Sequence, residues 1–315
     1  MTKTKSKSSV YCGIDVAKKT LDASLNQKHC QVKNDPDGWR KLIAWVAKID
    51  RNASIACEAT GGYERLMIRA FQKAGYLTYV LQPLRVRQYA ESMGYLAKTD
   101  KIDAAIIALF AAAKPPMEAF EPTVSQESLT ALVSFQGEIK LKIVALENQI
   151  TMLLDPLAIA SANRLLKAHK KEIIQLNKAL AKVLSEDAKL QEKVDKLTAF
   201  QGVGKITALA VLAHLPELGT LSDAKITGLA GLAPYNRDSG PHKGKRSIRG
   251  GRGDVRKSLY MASLTAARMN PVLSKMYQRL ILAGKPHKVA LTALMRKLLV
   301  ALNACLANPN FNFVS

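Results

Sequence analysis

From residue 10 the chain alternates apolar and polar positions in three short runs, Val10 to Asp15, Leu21 to Leu25 and Cys30 to Lys33, with polar turns between them. That period of two predicts an antiparallel meander of three strands. The period then lengthens. Asp35 before Pro36 places an acid at a helix cap and a proline at the first helical position, and Trp39, Leu42, Ile43, Trp45 and Val46 recur at helical spacing up to Ile49. A continuous apolar strand, Ala53 to Cys57, follows; a helix begins beyond Gly61 and Gly62, and another strand runs from Leu77 to Leu81. Helices are expected over Pro83 to Met93 and Thr99 to Ala113, and Pro115 and Pro116 close the segment. Strands first, then alternating helices and strands, predict an α/β domain.

From Ser125 to about Lys196, Leu, Ile and Val recur every three or four residues among Lys, Glu and Gln, a coiled-coil-like pattern. The break at Asp155 and Pro156 predicts two helices folded back as a hairpin, and the same pattern suits pairing with a second chain. In the final third, Gly202-Val203-Gly204 separates an apolar helix from another over Ile206 to Leu215, as in a helix-hairpin-helix. Such a turn lets backbone N–H groups approach a phosphate, and a tight turn between helices needs the glycines anyway. Ser222 to Leu232, a Gly-, Arg- and Lys-rich loop from Pro234 to Gly253, and helices over Asp254 to Met269, Pro271 to Leu282 and His287 to Leu306 complete the chain. The expected organisation is a disordered basic arm (1–9), an α/β domain (10–116), a helical coiled-coil or oligomerisation segment (117–196) and a mainly helical C-terminal domain (197–315).

Charge points this architecture at nucleic acid. Among 315 residues, Lys and Arg number 47 against 25 Asp and Glu, a formal net charge of +22. A solvated basic face is the plainer explanation. Cys12, Cys30, Cys57 and Cys305 form no CxxC pair and have no His at zinc-ligand spacing, which argues against a disulfide framework or a zinc site and suits a reducing cytoplasm. No apolar run approaches the roughly 20 residues of a membrane span, and the start MTKTKSKSS has no apolar signal region. A membrane partner and a small-molecule substrate are therefore not expected.

Against that basic background four acids stand out. Asp15 ends the first strand and Glu58 follows the fourth, so in a sheet where those strands are neighbours two carboxylates lie side by side, a costly arrangement without a cation. Asp100 and Asp103, three apart on an expected helix, share one face with Cβ atoms roughly 5 to 6 Å apart. Each also has an ordinary explanation, as a surface acid, a cap or a complement to the helix dipole. Between Arg237 and Lys257 lie five Arg and three Lys against two Asp. Arg237, Lys243, Lys245, Arg246, Arg249, Arg252, Arg256 and Lys257, with Gly202 and Gly204, are the candidate nucleic-acid contacts. His242 is left unassigned, and Tyr63, Tyr235 and Tyr260 suit core or rim packing better than base stacking.

The motifs GIDVAK, EATGGY and KTDKIDA, in this order and spacing, resemble the acidic motifs of the DEDD transposases of the insertion sequence one-ten family, which are similar to the Piv site-specific DNA invertases. The resemblance continues through Gly202-Val203-Gly204, Gly231-Leu232-Ala233-Pro234 and Asp238-Ser239-Gly240, and covers essentially the whole chain. It implies an RNase H-like first domain akin to the Holliday-junction resolvase RuvC, a tetrad of Asp15, Glu58, Asp100 and Asp103 binding Mg²⁺, expected as two ions, and a nucleophilic Ser239. It further implies a DNA substrate, an element-encoded bridge RNA as guide, a homodimer or homotetramer, and a place in the prokaryotic cytoplasm at the nucleoid. A Piv-type invertase, a metal-only junction resolvase using water, and a non-enzymatic nucleic-acid-binding protein stay open beside the transposase. Without the resemblance, Ser239 reads as a turn residue beside Gly240 and Pro241.

Overall fold

The computed structural model describes residues 10–95, 100–113, 123–235, 244, 246–308 and 311, the side chains of Asp100 and Lys101 excepted. The chain divides into two compact units, Met1–Ala119 and Phe120–Ser315. The expected basic arm, 1–9, lies outside the described residues.

In the first unit, strands β1 (Tyr11–Val16), β2 (Thr20–Leu25) and β3 (Lys28–Lys33) form the expected meander. Asn26 and Gln27, both with positive φ, supply the left-handed pair that a two-residue hairpin turn requires. Helix α1 (Pro36–Ile49) starts where the sequence places it, because Asp35 accepts a bond from the Gly38 N–H at 2.8 Å. Next come β4 (Ser54–Glu58), α2 (Arg65–Lys73), β5 (Thr78–Leu81), α3 (Pro83–Ser92) and α4 (Asp100–Ala113). The sheet order is β3-β2-β1-β4-β5, with β4 parallel to both β1 and β5. The first and fourth strands are thus neighbours, as the acid pairing requires.

Strand alternation splits this core in two. Cys12, Ile14, Leu21, Ile55 and Cys57 pack against Leu42 and Val46 of α1 and Met67 and Phe71 of α2. Tyr11, Ala56, Tyr79 and Leu81 face Val86 of α3 and Ile106, Ile107 and Ala111 of α4. Fully buried Leu42, Phe71 and Ile107 hold the helices on the sheet, each side chain contributing roughly 1.5–3 kcal/mol.

The second unit holds α5 (Val124–Ile150), α6 (Pro156–Glu186), α7 (Ala188–Thr198), α8 (Lys205–His214), α9 (Asp223–Leu229), a ribbon of β6 (Pro234–Tyr235) and β7 (Ser247–Ile248), and helices α10 (Gly253–Met269), α11 (Pro271–Leu282) and α12 (His287–Ala307). Helices α5 and α6 fold back on one another across the Asp155–Pro156 break, with Asn177 accepting a bond from Gln136 at 2.7 Å. The expected second helix of this segment is two, because Asp187 ends α6 and caps α7 by accepting from the Leu190 N–H at 3.0 Å. Leu129 of α5, Leu184 of α6, Leu197 of α7 and Leu212 of α8 join Leu259 of α10 and Leu298 of α12 in one apolar core.

Two expectations are corrected here. Helix α12 is long and apolar enough to cross a bilayer by length and composition, contrary to the reading that no such run exists. Its buried Leu291, Leu294, Leu298 and Leu302 instead make it a core helix, packed against α7, α9, α10 and α11. The Pro234 to Gly253 stretch is also not loop throughout: Pro234 pairs with Ile248 and Tyr235 with Ser247, a ribbon too short to leave a periodic signature.

Candidate active site

The register of β1 and β4 positions the first two acids. Ile14 pairs with Cys57, both fully buried under α1 and α2, and one residue further the two strands carry Asp15 and Glu58. Alternation turns this pair to the opposite face, the one covered by α4, and both residues are half-buried. Gly13, two residues before Asp15 on that face, admits the backbone of α4: a Cβ there would stand 2.1 Å from the Ala104 carbonyl oxygen and 2.5 Å from the Ala108 nitrogen. Asp103, also half-buried, immediately precedes Ala104, so its turn of helix lies over the strand that carries Asp15. Asp100 opens α4, and its side chain lies outside the described residues. Among the described residues no three His, Cys, Asp or Glu side chains converge closely enough to hold a metal ion.

A fifth acid shares the face, unnoticed in the sequence. Asp22 pairs directly with Asp15 across β1 and β2, is buried, and accepts bonds from the Gln31 amide at 3.0 and 3.1 Å. Its position in an alternating strand makes it look like an ordinary outward polar residue. Burial, then the charges of Glu64 and Glu58, push the Cys57 thiol up, so Cys57 is a neutral core residue and no nucleophile.

The segments after both acids are tied down. Beyond Glu58, Gly61 and Gly62 take left-handed φ values of 73° and 112°, and buried Glu64 turns back to accept from the Thr60 N–H (3.2 Å), the Thr60 hydroxyl (3.0 Å) and the Gly62 N–H (2.9 Å). Asn34 donates to the Ala17 carbonyl at 2.9 Å and the Tyr63 carbonyl at 3.3 Å, joining the end of β1 to the segment after β4. The Trp39 indole N–H bonds to the Asn34 side-chain oxygen at 2.8 Å and fixes which way that amide points. Glu64 and Asn34 were missed because each is a lone polar residue outside any acid motif.

In the second unit, Arg237, Ser239, Lys243 and Lys245 lie outside the described residues. Arg246 and Arg249 are exposed, and exposed Lys257 pairs with Asp254 at 3.3 Å. Arg252 and Arg256 are engaged within the fold. Arg252 makes a two-pronged pair with Glu217 at 2.6 and 2.7 Å and donates to the His214 carbonyl at 3.0 Å. Arg256 donates to the Ala230 carbonyl at 3.2 Å and to the Gly250 carbonyl. Charge counting cannot separate such arginines from phosphate contacts; the signal was the single acid Glu217, too weak alone. Beside them Gly231 and Gly251, both with φ of 68°, cross so closely that a Cβ on Gly251 would lie 2.2 Å from the Gly231 nitrogen.

Gly202, with φ of 98°, sits where a Cβ would lie 2.7 Å from the Cα of Ala266, so it seats the α7–α8 turn on α10. Gly204 caps α8 and is exposed. Tyr63, Tyr235 and Tyr260 are all exposed, none a core residue.

Residues 12–159 match a family model described as Transposase, its DEDD domain, and residues 194–278 match one described as Transposase IS116/IS110/IS902 family. The chain is similar to a pilin gene-inverting protein of Moraxella bovis, 28% identical over 93% of this chain and 94% of that protein, and to one of Moraxella lacunata at the same identity and coverage. It is also similar to a transposase for insertion sequence element IS1111A of Coxiella burnetii, 25% identical over 72% of this chain and 69% of that one. With both family models matching in chain order, the chain belongs to the IS110 family of transposases, enzymes of DNA recombination.

Proposed function

We propose that the chain excises and integrates a mobile insertion sequence, cutting DNA strands with the hydroxyl of Ser239 and rejoining them. The observation that carries this reading is that Asp15 and Glu58 each lie one residue beyond the Ile14–Cys57 pair of neighbouring strands, under a helix that brings Asp103 over the strand of Asp15. Three antiparallel strands leading into two parallel ones, with acids on the helix-covered face, support an RNase H-like fold of the RuvC kind. An all-carboxylate donor set suits a hard divalent cation, so Asp15, Glu58, Asp100 and Asp103 are the residues that would hold Mg²⁺. Bound Mg²⁺ would neutralise charge on the phosphate oxygens during transfer.

Ser239 supplies what carboxylates cannot. Its oxygen attacks phosphorus, the bond from phosphorus to one strand oxygen breaks, and that oxygen leaves with a proton as a strand-end hydroxyl. The ester to serine keeps the phosphorus activated, so another strand's hydroxyl can displace it without water. Exposed Arg246, Arg249 and Lys257, with Arg237, Lys243 and Lys245, supply cations to neighbouring phosphates; Arg252 and Arg256 hold the base of that segment instead. Gly204, exposed at the start of α8, remains a candidate backbone phosphate contact; Gly202 serves packing. The same basic character suits a bridge RNA, whose base pairing would read sequence while the protein holds backbone. The assembly is a homodimer or homotetramer, and four free cysteines suit the reducing cytoplasm.

A site-specific invertase is the second reading, favoured by the near-full-length match to the two Moraxella proteins. Both readings share the chemistry, and one experiment tests it. A nicked suicide DNA substrate should trap a covalent protein adduct that Ser239→Ala abolishes and Glu58→Gln greatly slows; cleavage that survives Ser239→Ala sinks the serine assignment. Recovery of activity on mixing Asp15→Asn and Ser239→Ala chains would show that Asp15 and Ser239 need not be intact on the same chain.

A further inference from the structure

Helix α6 carries five exposed cations, Arg164, Lys167, Lys171, Lys178 and Lys182, at spacings of three, four, seven and four residues. At 3.6 residues per turn these fall within a sector of about 60°, and at 1.5 Å per residue they extend over about 27 Å. The buried residues Ala162, Leu176, Leu180 and Leu184 centre on the opposite side of the helix, so the stripe is its outer face. Only two acids occur on α6, Glu172 and Glu186. Lys170, off the stripe, is paired with Glu147 at 2.8 Å, and Lys182 reaches Glu186 at 3.8 Å, whereas Arg164, Lys167, Lys171 and Lys178 form no ion pair among the described residues.

We propose that this face of α6 is a DNA-contact surface distinct from the basic segment before α10, one that follows the phosphate backbone of duplex DNA over about eight base pairs. Single-strand surfaces interleave cations with aromatic rings for base stacking, and α6 has no Phe, Tyr or Trp. A row of like charges also opposes its own copy, which disfavours this face as the seam between two chains. The surface therefore reads no sequence; it adds affinity and holds register on the DNA outside the reacting phosphate. The inference rests on the family's DNA substrate and on neither Ser239 nor the carboxylates.

The test is binding of the full-length chain, carrying Ser239→Ala and without divalent ions, to random-sequence duplex DNA and duplex RNA across a salt series, read by fluorescence anisotropy. Replacing Arg164, Lys167, Lys171, Lys178 and Lys182 by Gln should weaken DNA binding by about tenfold or more near 0.1 M salt, and flatten the slope of log affinity against log salt by about two units or more. The double variant Lys171→Gln/Lys178→Gln should flatten it by about one unit, with helix content unchanged by circular dichroism. An unchanged slope overturns the proposal. So does an equal loss on replacing exposed Lys28, Lys33, Lys41, Lys48 and Lys73 of the first unit by Gln, which would make the effect one of net charge. Loss of RNA binding alone, or of self-association with DNA binding intact, also overturns it.

Discussion

Gly13 lies directly beneath Ala104: a Cβ on the glycine would stand 2.1 Å from the Ala104 carbonyl oxygen. This contact sets the height of α4 over β1, and through it the level at which Asp103 meets the face bearing Asp15. The clash is with backbone, which has no rotamer to change. Gly13→Ala should therefore cost at least about 1–3 kcal/mol of stability and disable DNA cleavage as α4 is pushed outward. Gly137, mid-helix in α5 with nothing within 4 Å of a built Cβ, is the contrast. There Gly→Ala should stabilise by roughly 0.5–1 kcal/mol. Urea unfolding of both variants decides, and equal stability would mean that α4 is not seated on Gly13.

Arg252 is held within the fold by its pair with Glu217, whereas Arg249 is exposed. The side chain of Glu217 is only 17% exposed and that of Arg252 37%, so truncating Arg252 strands a mostly buried carboxylate. Arg252→Ala should cost about 2–3 kcal/mol, less than a wholly buried pair because solvent reaches the guanidinium. Arg252→Lys should recover part of this, since an ammonium cannot reproduce the two-pronged geometry. The salt slope of DNA binding should stay unchanged in refolded Arg252→Gln, whereas Arg249→Gln should leave stability intact and flatten the slope by about one unit. A flattened slope in Arg252→Gln would return that residue to the DNA contacts.

Period and punctuation carried most of the architecture. Alternation marked β1 to β3, the Asp35-Pro36 and Asp155-Pro156 pairs marked two helix starts, and the acid at each of two strand ends was visible before the strands were known to be neighbours. What stayed hidden depends on partners distant in sequence. Arg252 looks like any other cation of its segment until Glu217, 35 residues away, is seen to hold it. Asp22 looks like a solvent-facing strand residue until its register with Asp15 is known. The β6–β7 ribbon has two residues per strand, below any period that can be read. Asp187 divides α6 from α7 without a glycine or proline, by a side-chain bond to one N–H.

Half-buried His214, at the end of α8, predicts an acid sensitivity of the second unit. Burial holds its imidazole below the usual value of 6.5, Asp254 opposing this and Arg252 adding to it. The unfolded chain therefore binds a proton that the folded one resists. The stability contributed is complete above the unfolded value and is lost as pH falls through 6.5 toward the depressed folded value. The urea midpoint should drop between about pH 7.5 and 5, and His214→Gln should flatten that dependence. A His214→Gln profile parallel to that of the parent would assign the acid sensitivity elsewhere.

Glu64 organises the turn that follows Glu58, and its three acceptor contacts converge on one oxygen, Oε2. Glu64→Gln retains an oxygen for those donors and should preserve the turn. Glu64→Ala leaves the Thr60 and Gly62 N–H groups without this acceptor beside two left-handed glycines, and should cost about 1–2 kcal/mol. If Glu58 is a cation ligand held in place by this turn, Mn²⁺ affinity measured by electron paramagnetic resonance should fall about tenfold or more in the Ala variant and recover in the Gln variant. Stability lost without any change in Mn²⁺ binding would reduce Glu64 to a fold residue. Mn²⁺ binding lost equally in Gln and Ala would instead make its charge, rather than its hold on the turn, the contribution to the site.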